Sequence, residues 1–117
     1  MPQANVTMTV RKPGPQAGVI DIKGEINSYA ENALMDAFAQ AGAGDVRNVI
    51  LNFTDLDYMN SSGIGLLVTL LIRAKRQNKR LLAYGLSDHY RQIFELTRLN
   101  EAIAIFDGEA SALASGA

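Results

Sequence analysis

Two adjacent serines, Ser61 and Ser62, stand in the segment Asp55-Leu56-Asp57-Tyr58-Met59-Asn60-Ser61-Ser62-Gly63-Ile64-Gly65. Their hydroxyls are the first candidates for chemistry. The segment follows one apolar run and opens another, which places the pair at a helix start. The first turn of a helix has unpaired N–H groups and a partial positive charge. Both stabilise a phosphate. Reversible phosphorylation is the chemistry that such a pair suits. Gly63 and Gly65 keep the helix start narrow, so another protein's backbone can come close. Asp55 and Asp57 oppose an added dianion, so a phosphate would alter a partner surface without unfolding the domain. The plainer alternative makes Ser61 and Ser62 helix caps, with the glycines allowing tight packing on a strand.

Other chemistries find less support. His89 is the only histidine and lies beside Asp88. A serine hydrolase needs a poised base and an oxyanion hole, and no Gly-x-Ser-x-Gly elbow occurs. His89 reads as a surface residue. Gly63-Ile64-Gly65 is not a dinucleotide fingerprint, because Val68 stands where the third glycine belongs. No Walker-type phosphate loop occurs either. Cysteine is absent, which removes disulfides, thiolate nucleophiles and thiolate metal sites. Asp55 and Asp57 would bind Mg²⁺ weakly at best and serve equally well as turn residues. The expectation is no catalytic residue, no cofactor and no metal.

The elements that must position the serines fit one domain over residues 1–117, with its core at about 6–107. The chain has 117 residues, 48% hydrophobic and 20% charged, an ordinary globular balance. That excludes disorder, a collagen-like fibre and a two-domain enzyme. The formal net charge is −1, so nothing global attracts nucleic acid or an anionic membrane. The longest apolar stretch, Ile64–Ile72, falls short of the roughly 18–20 residues that span a bilayer. Met1–Val10 lacks the basic and apolar regions of a signal peptide. A cytoplasmic protein is expected.

Val6, Met8 and Val10 alternate with polar residues, a half-buried strand. Lys12–Gly18 reads as a turn, Val19–Lys23 as an antiparallel partner strand, and Gly24 as its end. Asn27 or Ser28 caps a helix whose stripe is Ala30, Ala33, Leu34, Ala37, Phe38 and Ala41. Val46–Phe53 is an apolar, central strand covered on both faces. Thr54–Met59 reads as a short polar loop with Met59 in the core. Ser61 or Ser62 then caps a helix running to about Gln77. Arg80–Tyr84 is a strand, and Ser87 caps a third helix carrying Tyr90, Ile93, Phe94 and Thr97 and ending at Asn100. Ile103–Phe106 is a fifth strand. A last helix covers about 109–114, and Ser115–Ala117 fray. The fold class is α/β, a mixed and mostly parallel sheet of about five strands with about four helices. The order is β-β-α-β-α-β-α-β-α.

Within the second helix, Ile64, Leu67, Val68 and Leu71 form the face expected to cover the sheet. Leu66 and Leu70 point away from it, toward either another element of the fold or a partner. The surface expected to bind a partner therefore combines Asp57, Tyr58, Asn60, Ser61, Ser62 and Gly63 with Ile64, Leu66 and Leu70. Arg73, Lys75, Arg76, Lys79 and Arg80 follow as a basic run. It complements the helix dipole or meets an acidic partner.

These motifs, taken in order, resemble a STAS domain, in particular a bacterial anti-sigma factor antagonist. The resemblance runs from about Val6 to Asp107. It rests on Gly24-Glu25-Ile26, on Val49-Ile50-Leu51-Asn52-Phe53, and on Leu56-Asp57-Tyr58-Met59-Asn60-Ser61-Ser62-Gly63-Ile64-Gly65. Leu82-Ala83-Tyr84-Gly85-Leu86-Ser87 and Ile93-Phe94-Glu95-Leu96-Thr97-Arg98-Leu99 complete it. The resemblance implies a phosphorylation-controlled binding protein rather than an enzyme. Its unphosphorylated form binds a serine-kinase anti-sigma factor and frees a sigma factor. Phosphorylation inactivates it, and a PP2C-type phosphatase reverses this. Ser61 matches the phosphorylated serine, with Ser62 as second choice. Asn60 stands where the family has Asp. Neither direct nucleic-acid binding nor membrane insertion is implied, and a homodimer is compatible. The alternative is a constitutive scaffold or transporter-associated subunit that uses the same surface without phosphorylation.

Overall fold

A computed structural model of the chain describes residues 5–115. Five strands form one sheet in the order β1-β2-β3-β4-β5. They are β1 (Val6–Gly14), β2 (Ala17–Ile26), β3 (Asn48–Met59), β4 (Arg80–Tyr84) and β5 (Ala104–Phe106). Four α-helices accompany them: α1 (Glu31–Ala41), α2 (Ser61–Arg76), α3 (Asp88–Leu96) and α4 (Glu109–Ser115). β1 and β2 pair antiparallel, while β2–β3, β3–β4 and β4–β5 pair parallel. The expected mixed, mostly parallel α/β order is the observed one.

Successive right-handed crossovers that step the same way across a sheet lay their helices on the same face. α1, α2 and α3 obey this. Leu34, Phe38, Leu67, Leu70 and Phe94 join Ile20, Ile22, Val49, Leu51 and Phe53 in the main core. Phe53 and Phe94 meet edge-on, with ring centroids 6.3 Å apart, a favoured aromatic geometry. The alternate residues of the same strands, Val19, Ile50, Leu82 and Tyr84, point to the opposite face. There α4 covers them through Ala112, with Leu113 packed alongside. A strand with side chains buried on both faces reads as a continuous apolar run, as Val49–Leu51 does.

Several boundaries differ from the sequence reading. β1 extends to Gly14, so the turn shrinks to Pro15–Gln16. β2 continues through Gly24, whose φ of +106° suits glycine alone. Residues 54–59 are not a loop: they are the second half of β3. β3 gains one residue on β2 between the Asp21–Asn52 and Lys23–Asp55 pairs, and another between Gly24–Leu56 and Glu25–Tyr58. Each bulge breaks the period-two pattern, which is why this half of the strand carries a polar, irregular sequence. The third helix ends at Leu96; a separate 3-10 turn, Leu99–Glu101, follows Arg98 in the left-handed region (φ +62°). Ser115 closes α4, and the rest of the expected frayed end lies outside the described residues.

α4 is tied down by a polar network that sequence spacing does not reveal. The Arg11 guanidinium grips Asp21 through Nε at 2.6 Å and Nη2 at 2.9 Å, and also donates to Glu109. Tyr84 Oη donates to Glu109 at 2.8 Å. Asn52 Nδ2 donates to Asp21 at 2.8 Å. The bonds from Arg11 hold Asp21 and Glu109 below the ordinary carboxylate range. Burial, reinforced by Glu109, pushes the Tyr84 phenol up to about 12.

Candidate functional site

The serine pair sits where the end of β3 turns into α2. Neither serine is the cap. Asn60 is, with an extended backbone and its Oδ1 accepting the Gly63 N–H at 2.9 Å. The expectation of a serine cap is corrected for a geometric reason. Ser61 and Ser62 already belong to the helix, so their side chains cannot reach back to cap it. Both are exposed. Among the described residues, neither hydroxyl has a hydrogen-bond partner. The Ser61 and Ser62 N–H groups occupy the first turn, where helices leave donors unpaired.

Gly63 is buried, and its close approach is internal. A Cβ there would lie 2.4 Å from the Ile26 carbonyl oxygen and 2.8 Å from Met59 Cγ. The glycine lets α2 seat on the ends of β2 and β3, so Gly63 is corrected from a partner contact to a packing position. Gly65 is the open one, exposed and with nothing within 4 Å of a Cβ.

The expected partner face of α2 needs the larger correction. Leu66 and Leu70 are buried in the main core, with Leu70 wholly covered. The inward stripe is Gly63, Leu66, Leu67, Leu70 and Ala74, spaced 3, 1, 3 and 4. The helix is therefore rotated relative to the expectation. Leu67 is inward as expected, Ile64 and Leu71 lie half-buried at its flanks, and Val68 is exposed. Val68 at 41% and Ile72 at 50% exposure are the apolar residues left on the outer face. A sequence window in which nearly every position is apolar does not select one stripe over another, which is why the rotation was not legible.

Around the serines, Asp55 and Asp57 are exposed on β3 and Tyr58 is 54% exposed. Met59 is buried, as expected. Tyr29, also 54% exposed, was not anticipated. It lies in the 3-10 turn Ser28–Ala30, which packs against α2, and its N–H donates to Asn27 Oδ1 at 2.9 Å. An aromatic directly after an Asn-Ser cap pair is the signal that could have found it. The basic run begins at Arg73 in the last turn of α2, about 18 Å from Ser61 along the helix. Lys79 Nζ donates to the Val46 carbonyl at 2.7 Å, and Arg80 Nη1 to the Ser115 carbonyl at 3.3 Å. His89 is exposed and meets Tyr90 edge-on at 4.9 Å. Among the described residues, no three His, Asp or Glu side chains gather as a metal site, and no helix is long and apolar enough to cross a membrane.

The strand order and the serine turn together define a recognisable class. Residues 7–112 match the STAS domain model, and the chain belongs to that family. The anti-sigma-B factor antagonist of Staphylococcus aureus is 27% identical over 89 residues, covering 76% of this chain and 82% of its own. The anti-sigma factor antagonist SpoIIAA in its unphosphorylated form superposes with a TM-score of 0.70 at 21% identity, covering 93% of this chain and 96% of its own. The Bacillus cell fate determinant SpoIIAA in the phosphorylated form gives 0.68 at 22%, covering 95% and 100%. At these identities the structural likeness shows the fold.

Proposed function

We propose that this chain is an anti-sigma factor antagonist switched by phosphorylation of Ser61. In this reading the unphosphorylated form binds a serine-kinase anti-sigma factor and frees a sigma factor. Phosphorylation at Ser61 ends the binding, and a PP2C-type phosphatase restores it. The observation that carries the reading is the state of Ser61. It is exposed at the first helical position of α2, and Asn60 has already filled the cap. Its hydroxyl is therefore free to accept a phosphoryl group at no structural cost. The antagonist name of the staphylococcal relative and the existence of SpoIIAA in both phosphorylation states support the same reading.

The physics of the switch is local. A phosphate adds about −1.5 to −2 charge. The N-terminal end of α2 stabilises it within the free protein. Asp55 and Asp57 already make the neighbouring strand end acidic, so the modified surface becomes strongly anionic. A partner that matches Tyr58, Asn60, Ser61, Ser62 and the half-buried Ile64 would lose contact through repulsion and desolvation. A coupling of about 1–3 kcal/mol, or roughly 5–150-fold in affinity, makes a working switch.

The test is mass spectrometry of protein isolated from its native cells under several growth conditions. Phosphate on Ser61 with condition-dependent occupancy is the expected result, together with co-purification of a kinase by Ser61→Ala and not by Ser61→Asp. Equal capture by the two variants overturns the mechanism. A second reading, a constitutive scaffold or transporter-associated subunit, is favoured by the uncharged Asn60 at the cap. It predicts no phosphate under any condition and co-purification with a membrane complex.

A further inference from the structure

β3 outruns its neighbour on one side. Its last pair with β4 is Asn52–Tyr84, because β4 stops and Gly85 turns away at φ +82°. Gly85 passes so near that a Cβ would lie 2.4 Å from Thr54 Oγ1. On the other side β2 accompanies β3 to the Ile26–Met59 pair. The second half of β3 thus has one edge without a strand, and a buried N–H on that edge needs another acceptor.

For Met59 the acceptor is a side chain. Its N–H donates to Tyr90 Oη at 2.8 Å in a buried contact. Tyr90 is 7% exposed and lies in the first turn of α3. The start of α3 is held in turn by Ser87, whose Oγ accepts the Tyr90 N–H at 3.4 Å. Tyr90 also borders a cavity of about 110 Å³ whose lining includes Phe53, Thr54, Leu56 and Ser87. Two residues beyond Met59 stands Ser61. The adjoining backbone bond, from the Asn60 N–H to the Ile26 carbonyl, is longer at 3.3 Å.

We propose that Tyr90 is a positioning residue for Ser61: its hydroxyl stands in for the missing strand edge, holds Met59, and so links the placement of α3 to that of the serine turn. This rests on the reading in which Ser61 is the modified residue. It predicts that a change at α3, on the far side of β3 from β2, is felt at the serine turn.

The test is Tyr90→Phe, which keeps the ring and deletes the acceptor, with Phe94→Leu as a core variant that leaves the Met59 bond intact. Amide hydrogen exchange is followed in peptides spanning 57–66 and 48–53, and Ser61 phosphate occupancy is measured in native cells. Tyr90→Phe is expected to speed exchange about fivefold in 57–66 while leaving 48–53 unchanged, and to lower Ser61 occupancy. Phe94→Leu is expected to speed exchange in both peptides. Equal acceleration of both peptides in Tyr90→Phe, or none in either, overturns the proposal. So does local acceleration with wild-type phosphate occupancy. If the wild-type protein never carries phosphate on Ser61, the switch reading fails, and the exchange result alone decides whether Tyr90 holds the turn.

Discussion

Asn60 Oδ1 accepts the Gly63 N–H at 2.9 Å, and the residue so capped is the one that seats α2 against the Ile26 carbonyl. Cap and seat are thus neighbours on one turn, and the two serines are left between them with no structural duty. This division of labour gives different expectations for four adjacent positions.

Asn60→Ala removes the cap and is expected to cost about 1 kcal/mol, within a 0.5–2 kcal/mol range. Asn60→Asp keeps the acceptor and adds a favourable charge at the helix N-terminus, so it is expected to hold or raise stability. Ser61→Ala and Ser62→Ala are expected to stay within about 0.5 kcal/mol of wild type. Urea denaturation of the four variants checks this. A loss of about 1 kcal/mol in either serine variant would return the cap to the serines.

Gly63→Ala and Gly65→Ala should move in opposite directions. The first drives a methyl group into backbone and is expected to cost about 2–3 kcal/mol. The second fills open space in a helix interior and is expected to add roughly 0.5–1 kcal/mol. Thermal melts of the pair decide it; a stabilised Gly63→Ala protein is the contrary outcome.

On α2, Leu70→Ala is expected to cost about 2–5 kcal/mol as a core truncation. Ile72→Ala and Val68→Ala sit on the outer face and should change stability by no more than about 0.5 kcal/mol. If α2 meets the partner, Val68 and Ile72 are the residues whose truncation weakens capture of the kinase from native cells. Unfolding curves alongside co-purification separate the two roles.

The network around Arg11 makes stability depend on pH at both ends. Asp21 and Glu109 sit below their ordinary values of 3.8 and 4.5. A lowered carboxylate contributes stability that is complete above the ordinary value and lost as pH falls through the lowered one. Tyr84 is raised from 10.0 to about 12, so its contribution is complete below pH 10 and lost as pH rises toward 12. Arg11 is 41% exposed and both carboxylates 31%, so solvent screens the effect and keeps it modest. Arg11→Gln is expected to flatten the acid limb of a stability–pH profile. An unchanged acid limb would mean that the network does not hold α4.

Much of the fold was readable from residue order. The alternation of Val6, Met8 and Val10, the stripe ending at Phe38 and Ala41, and the apolar run Val49–Leu51 each belong to one element whose periodicity is local. Ser87 caps α3 as expected, because an N-cap is a property of a few consecutive residues. What was not readable depends on partners distant in the chain. The polar segment 54–59 is a strand only because β2 runs beside it with two bulges. Leu66 and Leu70 are buried because the sheet and α1 lie on that side. Arg11 and Glu109 meet across 98 positions. At the site, the place of the serine pair at a helix start was legible, whereas the turn holding Tyr29 against α2 and the contact of Tyr90 with Met59 depend on chain crossings.

The sheet order repeats the chain order, β1 to β5 without a skip. During synthesis each new strand therefore meets an edge that the preceding residues have already built, and no early segment waits for a late one to complete its pairing. A side-chain bond that does wait runs from Arg11 in the first strand to Glu109 in α4, 98 positions on. It closes only after all five strands have been made, so the seating of α4 on the sheet comes last among the described elements.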